Sequence, residues 1–168
     1  MQNIFRIQDK LFIITGASSG LGKQTCLFLD SLGARVVGIA RREERLQEIK
    51  EQCKNFHYKI YDFTSQDGIK NLIDSIVKEH GKVHGIAYFA GIGRINPLRS
   101  ENIQDIKSLF DIHFFSALEC VRLLLDKRKS IDLSIVLISS ISSFLSFEGL
   151  SALYIFFLTA SCFGKVGK

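Results

Sequence analysis

The feature that most constrains the fold is a glycine-rich segment, residues 15–22, between an apolar run and a helix-like stretch. Its glycines, Gly16, Gly20 and Gly22, follow the pattern Gly-x-x-x-Gly-x-Gly. A buried strand that ends in such a turn before a helix presents free backbone N–H groups and the positive helix end to an anion. The sequence therefore predicts a phosphate-binding turn.

Each glycine of this turn has an expected role. Gly16 makes the turn itself, Gly20 leaves room for a pyrophosphate against the backbone, and Gly22 allows the helix to pack closely on the strand. The residues of this segment that are predicted to bind the ligand are Thr15, Gly16, Ser18, Ser19, Gly20, Leu21 and Gly22. Two alternatives remain open: a Gly/Ser loop without a ligand, and the glycine-rich first turn of a methyltransferase.

Strand-like and helix-like segments alternate along the chain, which is typical of a parallel sheet covered on both faces. The predicted strands are 11–15, 35–40, 56–62, 85–89 and 135–139, and the predicted helices are 23–32, 43–52, 67–80 and 102–126. Right-handed crossovers then give a three-layer, doubly wound α/β fold of the Rossmann type, with strand order 3-2-1-4-5. Ligands of such sheets bind at the carboxyl ends of the strands.

Composition limits the class of protein. The chain has 168 residues with 46% hydrophobic content, enough for one domain with a real core. Its net charge of +5 is spread along the sequence, so a nucleic-acid partner is not indicated. The first ten residues lack the apolar core of a signal peptide, and no apolar tract is long enough to cross a bilayer, so we expect a cytoplasmic protein without a membrane partner. The four cysteines have no metal-type spacing, and no metal site is predicted.

The end of the second strand carries two arginines, Arg41 and Arg42, with no carboxylate before Glu43. Guanidinium groups there favour the 2′-phosphate of NADP, whereas an acidic residue would hydrogen-bond the ribose hydroxyls of NAD. We therefore expect NADP in preference to NAD. The alternative is that the arginines only solvate the start of a helix.

The Thr-Gly opening and the glycine spacing resemble the nucleotide-binding motif of the short-chain dehydrogenase/reductase family, including its 3-oxoacyl carrier-protein reductase members. The likeness covers nearly the whole chain. Asp62-Phe63-Thr64 resembles the family's Asp-x-Thr element, which implies that Asp62 contacts the adenine with Phe63 beside it. An aspartate there is equally suited to a helix cap or a turn.

The sequence departs from the family after the fourth strand and in the long helix. Tyr88-Phe89-Ala90-Gly91 stands where the family has Asn-Asn-Ala-Gly, and the resemblance implies that Ala90 and Gly91 line the cofactor ribose. His113 occupies the position of a family asparagine that holds a proton-relay water. Its imidazole is either a replacement relay or a core histidine.

The family's catalytic pattern is incomplete. Its chemistry uses a serine that binds the substrate carbonyl, a tyrosine that transfers the proton, and a lysine four residues later that lowers the tyrosine pKa. Ser140 and Tyr154 are the candidates, but the usual spacing from Ser140 leads to Leu153, and Leu158 stands where the lysine is needed. We therefore expect impaired proton transfer.

The break in the catalytic pattern coincides with a change in composition. Residues 1–152 are predicted to form the NAD(P)-binding domain, and residues 153–168 an aberrant apolar segment. We interpret this as truncation or a shifted reading frame near residue 153, which leaves out the last two family strands. The fifth predicted strand, 135–139, is then an exposed edge of the sheet, and we expect a homo-oligomer or an aggregation-prone chain.

Three functions remain open at this stage. The chain is an NADP-dependent oxidoreductase acting on a small-molecule carbonyl or secondary alcohol, a non-catalytic NADP-binding module, or an inactive remnant of a disrupted gene. Fatty-acyl, sugar and steroid-like carbonyls are all compatible substrates.

Overall fold

Five parallel strands alternate with helices in the computed structural model, which describes residues 7–93 and 96–139. The strands are β1 (Leu11–Thr15), β2 (Arg35–Ala40), β3 (Phe56–Ile60), β4 (Val83–Tyr88) and β5 (Ser130–Leu137). The helices are α1 (Gly20–Ser31), α2 (Glu43–Gln52), α3 (Ile69–His80), a short 3-10 turn at Leu98–Ser100, α4 (Ile103–Phe110), a π-helical turn at Asp111–Phe115, and α5 (Ser116–Leu124).

The sheet has the order β3-β2-β1-β4-β5, and every neighbouring pair of strands is parallel. β1 is the central strand, with Ile13 beside Val37 of β2 on one side and Ile86 of β4 on the other. The predicted doubly wound fold and strand order are therefore confirmed.

Two apolar cores cover the two faces of the sheet. On one face, Ile13 and Val37 pack with α3 and α5, and Cys120 of α5 is fully buried there. On the other face, Ile14 packs with α1 and α2, and Phe56 is fully buried. Successive residues of β1 thus enter opposite cores, which explains why its sequence reads as a continuous apolar run.

Several boundaries differ from the prediction. β3 ends at Ile60 rather than residue 62, and β4 lies at Val83–Tyr88 rather than 85–89. Helix α1 begins at Gly20, inside the glycine-rich segment, while α3 begins only at Ile69. The predicted uninterrupted helix over 102–126 is three pieces, because the π-helical turn separates α4 from α5.

Strand β5 begins at Ser130, five residues before its predicted start at residue 135, and ends at Leu137. A bulge opposite Val83 and Gly85 accommodates Asp132, whose φ is +47°. Most apolar residues of β5 are exposed, such as Val136 and Leu137 at 48% and 57%, whereas Leu133 packs against the core. This strand is the apolar edge of the described sheet. The predicted segment 153–168 lies outside the described residues.

In the described part of the chain, no helix has both the length and the apolar character needed to cross a membrane.

Candidate functional site

A cleft of about 440 Å³ lies at the carboxyl ends of β1, β2, β3 and β4. Most of the predicted cofactor residues border it: Gly16, Ser18, Ser19, Gly20, Leu21, Gly22, Arg41, Arg42, Asp62, Phe63, Ala90 and Gly91. Segments far apart in sequence thus meet at the edge of the sheet where a doubly wound fold binds its ligand.

The three glycines of the turn have the geometry their predicted roles require. Gly16 has a φ of +64°, and a Cβ on it would lie 2.8 Å from the backbone of Phe89. A Cβ on Gly22 would collide with the carbonyl of Gly16, so only glycine lets α1 pack against the turn. Gly20 has a φ of +53°, and nothing lies within 4 Å of where its Cβ would stand. The backbone is therefore open beside Gly20, where a ligand phosphate needs space.

Thr15 is fully buried beneath the cleft rather than on its surface. Its Oγ1 accepts hydrogen bonds from the backbone N–H groups of Phe89 at 3.0 Å and Ala90 at 2.9 Å. This hydroxyl therefore ties the end of β1 to the segment after β4. Its role is to hold the floor of the cleft.

The two arginines after β2 are held differently. The Arg42 guanidinium donates hydrogen bonds to Ser18 Oγ at 3.0 Å and Ser19 Oγ at 2.9 Å, so it lies over the glycine-rich turn. Arg41 forms a 3.5 Å ion pair with Asp62, and both of these side chains are about half exposed. Exposed pairs of this kind are weak. The cleft therefore has a fixed positive group at Arg42 and a second, loosely held one at Arg41.

Asp62 organises the turn after β3. Its Oδ1 accepts hydrogen bonds from the Thr64 backbone N–H at 3.0 Å and the Thr64 hydroxyl at 2.9 Å. Partial burial raises the pKa of Asp62, but the hydrogen bonds from Thr64 and the charge of Arg41 outweigh it and hold the pKa below its usual value. Asp62 is thus a turn residue, and its carboxylate also borders the cleft.

Phe63 is buried at the wall of the cleft. Its ring meets Tyr61 and Tyr88 edge-on, with centroids 4.9 and 5.4 Å apart. The Tyr61 hydroxyl shares its one proton between the carbonyl oxygens of Ser65 and Asp67, 3.0 and 2.8 Å away, which closes the loop after β3. These aromatic residues fix the part of the cleft opposite the glycine-rich turn.

His113, in the π-helical turn, packs against the segment that follows β4. Its Nε2 is 2.8 Å from the Ile92 carbonyl oxygen and 3.3 Å from the Ile92 nitrogen. A Cβ on Gly91 would lie 2.5 Å from its Cε1, so glycine at 91 makes room for the imidazole. Burial lowers the pKa of His113 below the ordinary histidine value. The ring therefore packs behind the cleft lining, and a relay role for it stays a prediction.

Two predicted catalytic residues, Ser140 and Tyr154, lie outside the described residues. Sequence reasoning also missed part of the cleft: Ile39, Ala40, Tyr61, Phe89, Ile112 and Ile138 border it as well. Four of these stand at or just after the carboxyl ends of β2, β3 and β4, and strand position was the signal that would have found them.

Within residues 7–93 and 96–139, no three His, Cys, Asp or Glu side chains converge as ligands for a metal ion.

The sequence model of the family described as short chain dehydrogenase matches residues 10–154. The chain belongs to this family. Among curated short-chain dehydrogenase relatives, it is 34% identical to an uncharacterized oxidoreductase of Saccharomyces cerevisiae over 137 residues, covering 78% of this chain and 53% of that protein. It is 33% identical to benzil reductase ((S)-benzoin forming) of the same yeast, covering 85% of this chain and 59% of that protein.

Solved short-chain dehydrogenases share the architecture. A short-chain dehydrogenase/reductase from Saccharomyces cerevisiae superimposes with a TM-score of 0.80 at 29% identity, covering 92% of this chain and 62% of that one. A short-chain dehydrogenase from Streptomyces avermitilis also gives 0.80, at 28% identity, covering 89% of this chain and 56% of the other. The chain thus spans little more than half the length of the curated relatives described above.

Proposed function

We propose that this chain binds NADP(H) in the cleft, and that its lineage transfers hydride between NADP(H) and a small-molecule carbonyl or secondary alcohol. We further propose that this transfer is impaired here. The preference for NADP(H) rests on the Arg42 guanidinium, which is hydrogen-bonded to Ser18 and Ser19 at the cleft, with Arg41 beside it.

The described residues fit a dinucleotide. The open backbone at Gly20 and the start of α1 suit the pyrophosphate, which helix N-termini stabilise. The serine hydroxyls and the Arg42 guanidinium together offer a charged fork for a ribose phosphate. The cofactor itself would supply the hydride. Ala90 and Gly91 also line the cleft, where a larger side chain would take up space.

The proton-transfer step is the weak point of this chain. In the family, a lysine four residues after the catalytic tyrosine lowers its pKa, and Leu158 stands at that position after Tyr154. Without that cation, the cause that lowers the tyrosine pKa in the family is missing, which disfavours proton transfer at neutral pH. This absence favours the second candidate function, an NADP-binding module without turnover.

The test measures binding of NADPH and NADH by the emission of the reduced nicotinamide, in a chain that has no tryptophan to interfere. We expect tighter binding of NADPH. Arg42→Gln should weaken NADPH binding by about tenfold to a hundredfold, because a charge-assisted hydrogen bond contributes about 1.5–3 kcal/mol. Arg41→Gln should have a smaller effect, and NADH binding should change little in either variant.

Arg45→Gln is the matched control, because Arg45 is an exposed arginine of α2 that pairs with Glu48 away from the cleft. Equal binding of NADPH and NADH by the unmodified chain would remove the argument for NADP. Turnover should stay near background with a panel of carbonyl substrates, with benzil included because one relative is a benzil reductase. Robust reduction would show that the chain has a proton donor the sequence argument overlooked.

A further inference from the structure

The π-helical turn at Asp111–Phe115 has a specific local cause. In an α-helix the Ser116 N–H would bond to the Ile112 carbonyl, but here it bonds to the Asp111 carbonyl. The Ile112 carbonyl instead accepts a 2.7 Å hydrogen bond from the hydroxyl of Tyr88, at the end of β4. Tyr88 is only 5% exposed, so this bond forms away from water and competes well with the helical one.

The same turn is anchored at its other end. The Ser116 hydroxyl, also buried, donates to the Phe63 carbonyl at 2.8 Å. Gln66 Nε2 donates to Asp111 Oδ1 at 2.8 Å. The turn is thereby tied to the loop after β3 on one side and to β4 on the other.

His113 is the residue directly after Ile112, so the register of the turn decides where its ring lies. In this register the imidazole covers Gly91 and reaches the backbone of Ile92. The shorter contact, 2.8 Å to the carbonyl oxygen, favours the tautomer with the proton on Nε2, since one nitrogen cannot donate and accept at once. Gly91 borders the cleft, so the ring backs a cleft-lining residue.

We propose that Tyr88 is a positioning residue for the cofactor site: by holding the Ile112 carbonyl, its hydroxyl fixes the π-helical turn that places His113 against Gly91 and Ile92. The proposal rests on the proposed function in that the positioned segment is taken to face the cofactor. The hydroxyl, rather than the ring, carries this role. The ring packs in the core, and a phenylalanine would preserve that packing while leaving the carbonyl to return to Ser116.

The experiment compares the full chain with Tyr88→Phe by following the imidazole nitrogens of His113 with NMR across a pH series, and by NADPH titration. In the unmodified chain, His113 should titrate below the ordinary histidine range, because its ring is buried. In Tyr88→Phe, its pKa should move back toward that range, and NADPH affinity should fall by about threefold to tenfold, as expected for the loss of one hydrogen bond.

The matched control is Tyr58→Phe, whose hydroxyl lies at the surface, 3.4 Å from Glu43. It should leave both the His113 titration and NADPH affinity unchanged. A double-mutant cycle with His113→Phe tests whether Tyr88 acts through His113, because the Tyr88→Phe effect on NADPH affinity should then vanish. An undiminished effect in the His113→Phe background would overturn the proposal, and so would an unchanged His113 titration in a folded Tyr88→Phe protein.

Should Tyr88→Phe fail to fold, the unmodified sequence labelled with fluorotyrosine gives the same information. The fluorine resonance of Tyr88 should follow the protonation of His113, and this response should disappear in His113→Phe. A Tyr88 resonance that ignores the His113 titration would refute the link. Failure of the unmodified chain to bind NADPH would refute the proposed function alone, since the titrations report on Tyr88 and His113 without cofactor.

Discussion

Replacing Thr15 by valine should destabilise the chain more than its small chemical change suggests. Valine has the shape of threonine but no hydroxyl, so the backbone N–H groups of Phe89 and Ala90 lose their acceptor. An unsatisfied buried donor costs about 1–3 kcal/mol. Because Phe89 and Ala90 are half-buried, we take the lower value for each and expect a loss of about 2 kcal/mol in the free energy of unfolding.

Thr15→Ser separates the effect of losing the methyl group from the effect of losing the hydroxyl. Serine keeps the acceptor and loses one buried methyl, which costs about 1 kcal/mol. Urea unfolding followed by circular dichroism measures both variants. With a slope of about 2 kcal/mol per molar for a chain of this size, the midpoint should fall by about 1 M for Thr15→Val and about 0.5 M for Thr15→Ser.

The order of the two urea midpoints tests whether the Thr15 hydroxyl stabilises the fold. A Thr15→Val midpoint equal to or above that of Thr15→Ser would mean that water or another group satisfies the two N–H groups. The hydroxyl would then not be what holds β1 to the segment after β4. Binding of NADPH should follow the same order, because these N–H groups belong to the floor of the cleft.

Three further results are expected. Burial lowers the pKa of His57 and His80, whose ring centroids lie 4.5 Å apart, so the unfolded chain binds more protons than the folded chain below about pH 6.5. The free energy of unfolding should therefore be highest above that pH and should decline as the pH falls. Unfolding measured at pH 7.5 and 5.5 should show a smaller decline for His80→Gln than for the unmodified chain. Gly22→Ala should lower the free energy of unfolding by about 1–2 kcal/mol, since the clash with the Gly16 carbonyl exceeds the gain in helix propensity; a more stable protein by urea unfolding would contradict this. Val136→Lys should raise the monomer fraction in size-exclusion chromatography by charging the exposed edge strand, whereas an unmodified chain that is already monomeric at all concentrations would exclude this effect.

The sequence was most informative where one residue type satisfies a local requirement. The bounds of β1, β2 and α2 agree with prediction because an apolar run or a charged helix ends before Gly16, before the arginine pair 41–42, or before the segment 53–55. The start of β5 was missed because Ser130, Asp132 and Ser134 are polar and look like a loop. Asp132 and Ser134 are exposed at the bulge, whereas Ser130 is buried and its hydroxyl donates to the Leu124 carbonyl.

The sequence predicted which residues belong to the site better than it predicted the hydrogen bonds between them. Arg42 was foreseen as a group near a ribose phosphate, but its bonds to Ser18 and Ser19 depend on how β2 and the glycine-rich turn approach each other. The π-helical turn was invisible because its cause, the Tyr88 hydroxyl, lies 24 residues away from Ile112 along the chain. Apolar periodicity alone cannot reveal a competing donor at that distance.

The central position of β1 has a consequence for how the chain is made. β2 and β3 follow β1 in sequence and lie to one side of it, so residues 11–60 already form a contiguous half-sheet with the glycine-rich turn and Arg42. The other edge of β1 stays unpaired until β4, which ends at Tyr88, has been synthesised. As the chain leaves the ribosome, the turn at Gly16 therefore exists before the Phe89 and Ala90 N–H groups that bind Thr15 have been synthesised. Of the five strands β1 is synthesised first, yet β2 has both of its neighbours before β1 does.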